Sequence, residues 1–165
     1  MMKHKKIFVA CDTSDLNKTK KIIKQTQTNK LKIMPKFGLQ FFYSKNGRKF
    51  LENFKKDFWL DLKINDIPQT TLSAVDSLKD LKKCKYITVH ANGGLEMLKA
   101  IKKKAKLINK DLKVLGVTIL TSLNNKSLKE IGHTKSVKQL VLKQAGLIKK
   151  SGCDGIVCSA QEAKM

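Results

Sequence analysis

The sequence has 165 residues, 41% of them hydrophobic and 29% charged, which is enough for a sizeable buried core and excludes a disordered chain. Lysine and arginine outnumber acidic residues 35 to 13, for a formal charge of +22. Taken alone that excess suggests nucleic acid or an anionic surface as partner, but composition argues against it, because Arg48 is the only arginine and the lysines are spread along every amphipathic stretch rather than gathered in one block.

The N-terminal apolar run, Ile7 to Ala10, is too short for the core of a signal peptide, and no stretch reaches the roughly 18 apolar residues that a membrane span needs. The reading is a cytoplasmic protein with neither nucleic acid nor membrane as a partner. Cys11, Cys84, Cys153 and Cys158 are scattered without metal-ligand spacing and read as buried free thiols.

In chain order, short β-branched runs recur and alternate with amphipathic stretches, the pattern of successive βα units around a parallel sheet. Strands are predicted near 7–12, 32–38, 57–64, 86–91, 113–121 and 154–159. Arg48 falls on the second helix. Leu95, Leu98, Ile101, Ala105 and Ile108 form one helical stripe, with Lys102, Lys103, Lys104 and Lys106 on the solvated side. Val137, Leu140, Val141, Ala145 and Ile148 form another, preceded by a short helix around Ser127 to Ile131. No linker or composition shift interrupts residues 1–165, which read as a single domain. His4 and His133 are expected to face solvent, and His90 to be a hydrogen-bonded rim residue.

Residues able to do chemistry stand where the strands end: Asp12, Lys36, Asp61 with Lys63, His90, Thr121 and Ser159. A (β/α)8 barrel gathers groups from separate strands at its C-terminal rim, whereas an open doubly wound sheet binds ligand only near a switch point. The expected fold is therefore an α/β, TIM (β/α)8 barrel.

The most informative stretch is Phe58-Trp59-Leu60-Asp61-Leu62-Lys63-Ile64-Asn65-Asp66-Ile67-Pro68-Gln69-Thr70. Strand alternation predicts that Asp61 and Lys63 share a face, and the apolar residues around them predict a strand buried on both sides. Opposite charges in a buried strand are costly to desolvate and are rarely kept for stability alone. From the residues, a structural ion pair and a working catalytic pair both remain open.

The run D-L-K-I-N-D-I-P-Q-T resembles the D-x-K-x-x-D-I-P-x-T pattern of the orotidine 5'-phosphate decarboxylase family. Further pieces follow in the family's order: V-A-C-D at Val9 to Asp12, K-F-G at Lys36 to Gly38, T-V-H-A-N-G-G at Thr88 to Gly94, V-T-I-L-T-S at Val117 to Ser122, and D-G-I-V-C-S-A-Q-E at Asp154 to Glu162. Asn65, Gln69 and Asn92 depart from commoner choices without removing an ionisable group of the central motif.

The resemblance implies loss of CO2 from C6 of orotidine 5'-phosphate to give UMP, with no cofactor and no metal. It makes Lys63 the acid that stabilises and protonates C6 and sets Asp61 beside the departing carboxylate. Lys36 and Asp66 complete an alternating array of charges. It further implies that Asp12 and Lys36 reach ribose hydroxyls, that Thr121 binds the pyrimidine, and that Asp66, Ile67 and Thr70 serve the partner's site in a homodimer.

Barrels of this kind usually exceed 200 residues. The sequence is therefore expected to be a truncated chain with about six of eight βα units, exposing unpaired edges on strands one and six and lacking the family's phosphate grip. That grip includes a late arginine to which Arg48 does not correspond. Such a chain is expected to be nearly inactive until two βα units are restored. Two alternatives stand beside this reading: a magnesium-dependent sugar-phosphate decarboxylase or synthase of the same barrel group, and a non-catalytic basic RNA binder.

Overall fold

The computed structural model describes residues 6–164; His4 lies outside them. The elements run β1 (Lys6–Ala10), α1 (Leu16–Gln25), β2 (Lys32–Gly38), α2 (Leu39–Phe42), α3 (Gly47–Asn53), β3 (Phe58–Ile64), α4 (Pro68–Asp76), β4 (Cys84–His90), α5 (Gly94–Ile108), β5 (Lys113–Val117), α6 (Asn125–Glu130), α7 (Val137–Ser151) and β6 (Gly155–Val157). The six strands hydrogen-bond in sequence order from β1 to β6. Where the register is defined the pairing is parallel, as βα repetition requires. No helix among the described residues is long and apolar enough to cross a membrane.

Predicted and observed strands agree closely for β2 and β3. The fifth is shorter than expected, because it stops at Val117 instead of running to 121. Thr118, Ile119, Leu120 and Thr121 have strand-like composition, but the amide of Thr118, donating to the Val157 carbonyl at 3.3 Å, makes the last ladder bond to β6, and its hydroxyl reaches the same carbonyl at 3.3 Å. The chain then turns, leaving Thr121 exposed. The second helix is also divided, with α2 and α3 separated by a turn in which the amide of Gly47 reaches the Ser44 carbonyl at 3.0 Å.

The chain forms two compact units, the first comprising residues up to Leu62 together with Lys79–Ile87. Its core is aromatic. Phe37 lies 4.8 Å from Phe41 and 5.6 Å from Phe58 between ring centroids, and Phe54 meets Phe37 edge-on at 5.8 Å. A second group sets Phe8 edge-on to Trp59 and Tyr86, at 4.8 and 5.4 Å. Asp15 starts α1 by accepting the amides of Asn17 and Lys18, two donors that a helix end leaves without carbonyl partners. Arg48 is held on α3 by Glu52 and, through a two-pronged contact at 2.8 Å, by Asp80.

The second unit comprises Lys63–Leu78 and the residues from Thr88 onward. The predicted stripe of α5 is buried at Leu98, Ile101 and Ala105, joined by Met97. That of α7 is buried at Leu140, Val141 and Ile148. Ser136 opens α7 with a reciprocal capping box to Gln139, and Gly152, at φ +75°, closes it in a left-handed conformation that glycine adopts without Cβ strain.

The lysine-rich face of α5 is not uniformly solvated. Lys102 pairs with Asp154, whose carboxylate also accepts the Val114 amide at 2.8 Å, and Lys104 pairs with Asp76. His133 is half-buried rather than solvent-facing, because its amide turns inward to the Leu128 carbonyl at 2.8 Å.

Gly116 lets α7 approach β5: a Cβ there would lie under 3.0 Å from three carbons of Ile148. Gly116→Ala is expected to destabilise the fold by about 1–3 kcal/mol, the usual cost of overpacking, and denaturant unfolding checks it. An unchanged midpoint would contradict the described contact.

Candidate active site

In the first unit, β1, β2 and β3 bring three charged side chains into line. Parallel register sets Ala10 opposite Lys36, Lys36 opposite Trp59 and Gly38 opposite Asp61. The long Lys36 side chain leans along its strand, and its Nζ reaches Asp61 Oδ2 at 3.1 Å and Asp12 Oδ1 at 3.6 Å. Asp61 is 7% exposed, so its carboxylate is in a low-dielectric setting where an adjacent ammonium counts for far more than in water.

Gly38 leaves the Asp12 carboxylate in its place, since a Cβ at position 38 would sit 2.9 Å from Asp12 Oδ1 and that side-chain end would have to shift. The K-F-G sequence thus serves two purposes: its lysine bridges the carboxylates and its glycine leaves one of them room. Beside them, burial pushes the Cys11 thiol up to about 11, with the Asp12 carboxylate raising it further and Lys36 opposing. That thiol is neutral at physiological pH and is not a nucleophile.

In the second unit, Lys63 is half-buried and has φ +50°, the only positive φ outside glycine among the described residues. Two-residue alternation holds only for extended backbone, so the pleat does not dictate that Lys63 shares the face of Asp61. The left-handed conformation costs a non-glycine residue on the order of 1–3 kcal/mol and persists where its surroundings enforce it. Here the Lys63 amide donates to Thr88 Oγ1 at 2.9 Å, and Thr88 is fully buried in β4.

Beyond Lys63, Asp66 is exposed and caps its own loop, its Oδ1 accepting the Ile67 amide at 2.7 Å. Pro68 begins α4 at the position where its missing N–H is not needed. Ile67 and Thr70 are exposed, as is Thr121. The structure therefore joins Asp12, Lys36 and Asp61 directly, and leaves Asp66, Ile67, Thr70 and Thr121 on accessible surface.

Thr88 was not among the residues singled out from sequence. The available signal was a hydroxyl residue between Ile87 and Val89 in an otherwise apolar strand, a position where a side-chain oxygen must find a donor.

Parallel strands joined in order by helices define a barrel-type α/β protein. A family model described as "Orotidine 5'-phosphate decarboxylase / HUMPS family" matches residues 5–165, and the chain belongs to that family. Orotidine 5'-phosphate decarboxylase from Wolbachia sp. subsp. Brugia malayi is 40% identical over 96% of this chain and 69% of its own length. That of Staphylococcus epidermidis is 40% identical over 79% of this chain and 57% of its own. The crystal structure of orotidine 5'-phosphate decarboxylase from Lactobacillus acidophilus superposes with a TM-score of 0.84 at 31% identity, covering 96% of this chain and 73% of that one. The chain thus spans 57% to 73% of the length of these relatives, with a fold corresponding to six strands of a TIM barrel and the helices that join them.

The shielded Lys36–Asp61 pair is expected to couple far more strongly than the exposed Lys99–Glu96 pair on α5. Double-mutant cycles using Lys36→Met with Asp61→Asn, and Lys99→Met with Glu96→Gln, should give above about 1.5 kcal/mol for the first and below about 0.5 kcal/mol for the second. Equal coupling energies would contradict the burial assigned to Asp61.

Proposed function

We propose that this chain carries the decarboxylating residues of an orotidine 5'-phosphate decarboxylase, producing UMP and CO2. The observation that carries the proposal is the intact D-L-K-I-N-D-I-P-Q-T run in a member of the family, with its first aspartate buried and bridged by Lys36 to Asp12.

In the proposed reaction the bond between C6 and the carboxylate breaks, CO2 leaves, and the electron pair stays on C6. Lys63 stabilises that carbanion as an ammonium and gives it a proton, forming the C6–H of UMP; solvent then reprotonates the lysine. Protein charges supply the stabilisation, so the proposal needs neither metal nor organic cofactor.

Asp61 faces the substrate carboxylate, and Lys36 holds Asp61 in place. A group whose partner is already fixed reorganises little when charge moves, which is how a charge array lowers a barrier. Asp12 and Lys36 take ribose hydroxyls, and Thr121 takes the pyrimidine ring. Asp66, Ile67 and Thr70 serve a second subunit, which their exposure permits. We place the homodimer in the cytoplasm, where its four cysteines stay as thiols.

The family description also covers a second branch, so a metal-assisted sugar-phosphate reaction is the competing reading. Absorbance loss on adding orotidine 5'-phosphate, followed with and without EDTA, separates the two. The assay is run on this chain and on the chain continued with the C-terminal third of the Wolbachia relative, so that weak phosphate binding is not read as missing chemistry. Decarboxylation is expected to survive EDTA and to fall by about a hundred- to ten-thousand-fold in Lys63→Met. Loss on chelation, or full turnover by the variant, would refute the proposal.

A further inference from the structure

We infer that Thr88 is a positioning residue for Lys63: its buried hydroxyl oxygen accepts the Lys63 amide and holds that residue in the left-handed backbone conformation from which the ammonium is presented. The inference rests on the proposed role of Lys63 and adds a residue that touches neither substrate nor reacting atoms.

Three observations carry it. Lys63 has φ +50°, a conformation that glycine or asparagine adopts readily and lysine does not. Its amide is 2.9 Å from Thr88 Oγ1, within the range of a well-formed bond. Thr88 is 0% exposed, flanked in β4 by Ile87 and Val89 at 0%, so water does not compete for that oxygen.

Because the direction of a Cα–Cβ bond follows from φ and ψ, fixing the amide of Lys63 fixes where its side chain starts. Threonine suits the task. Its β-branch restricts χ1 in a strand, so the oxygen is held at one place instead of swinging between rotamers. The bland reading is that the Lys63 amide merely satisfies a buried hydroxyl; that reading predicts an effect on stability and none on the chemical step.

The test compares Thr88→Val, which keeps the shape and loses the acceptor, with Thr88→Ser, which keeps the acceptor. Thr88→Cys, a weaker acceptor of similar size, replaces the valine variant if that one does not fold. Two readouts are taken: hydrogen exchange of the assigned Lys63 amide in this chain, and kcat with KM for orotidine 5'-phosphate in the chain continued with the C-terminal third of the Wolbachia relative.

In the valine variant the Lys63 amide is expected to exchange at least about tenfold faster than in the parent. Its kcat is expected to fall about tenfold or more, equal to about 1.4 kcal/mol, with KM within about twofold. The serine variant is expected to restore both. An unchanged amide exchange rate in Thr88→Val, or a stability loss with kcat intact, would overturn the inference. Absence of turnover in the continued chain without substitutions would strike the proposed function instead, and the amide exchange then decides the role of Thr88 by itself.

Discussion

The bridge from Asp12 through Lys36 to Asp61 is the interaction on which the arrangement of the first unit depends. Asp61 is nearly withdrawn from water on a strand lined with phenylalanine and leucine, and a carboxylate there is tolerated as an ion only with a cation and hydrogen-bond donors close by. Lys36 meets that need at 3.1 Å, and its own side chain is mostly shielded. Parallel register makes the meeting possible, and at Gly38 no Cβ crowds the Asp12 carboxylate. An apolar residue in place of the shielded Lys36–Asp61 pair would avoid its desolvation cost, so stability alone does not explain the charges.

Much of the fold was legible because periodicity is written into side-chain chemistry. The α5 and α7 stripes could be read from Leu98, Ile101 and Ile148, since a helix with one wet face must repeat near 3.6 residues. The end of β5 was not legible. Thr118 to Thr121 look like strand by composition, and only the register with β6, whose last pair is Val117 with Val157, shows where pairing stops. The paired state of Lys102 and Lys104 was hidden for the same reason: Asp154 and Asp76 are brought to α5 by topology, which a local charge pattern does not encode.

The candidate site divides in the same way. Asp12, Lys36 and Asp61 stood out because polar groups at the ends of apolar strands are conspicuous, and the structure joins them directly. The backbone of Lys63 did not stand out. A left-handed residue is anticipated at glycine or asparagine, and nothing about lysine announces it; the conformation is held by tertiary contacts, among them the bond to Thr88. Thr121 carries its suggested role by family resemblance, on a turn where its hydroxyl is accessible, and its placement there came from the structure.

The central claim is that Lys63 exchanges a proton with a carbanion at C6, and the reverse of that step can be watched without any loss of CO2. UMP incubated in D2O with this chain, or with the chain continued by the relative's C-terminal third, is followed by proton NMR at the C6–H signal. The account predicts deuterium incorporation at C6 that disappears in Lys63→Met. Exchange that persists in that variant at the parent rate, or no exchange above the protein-free rate in either form of the parent, would contradict it.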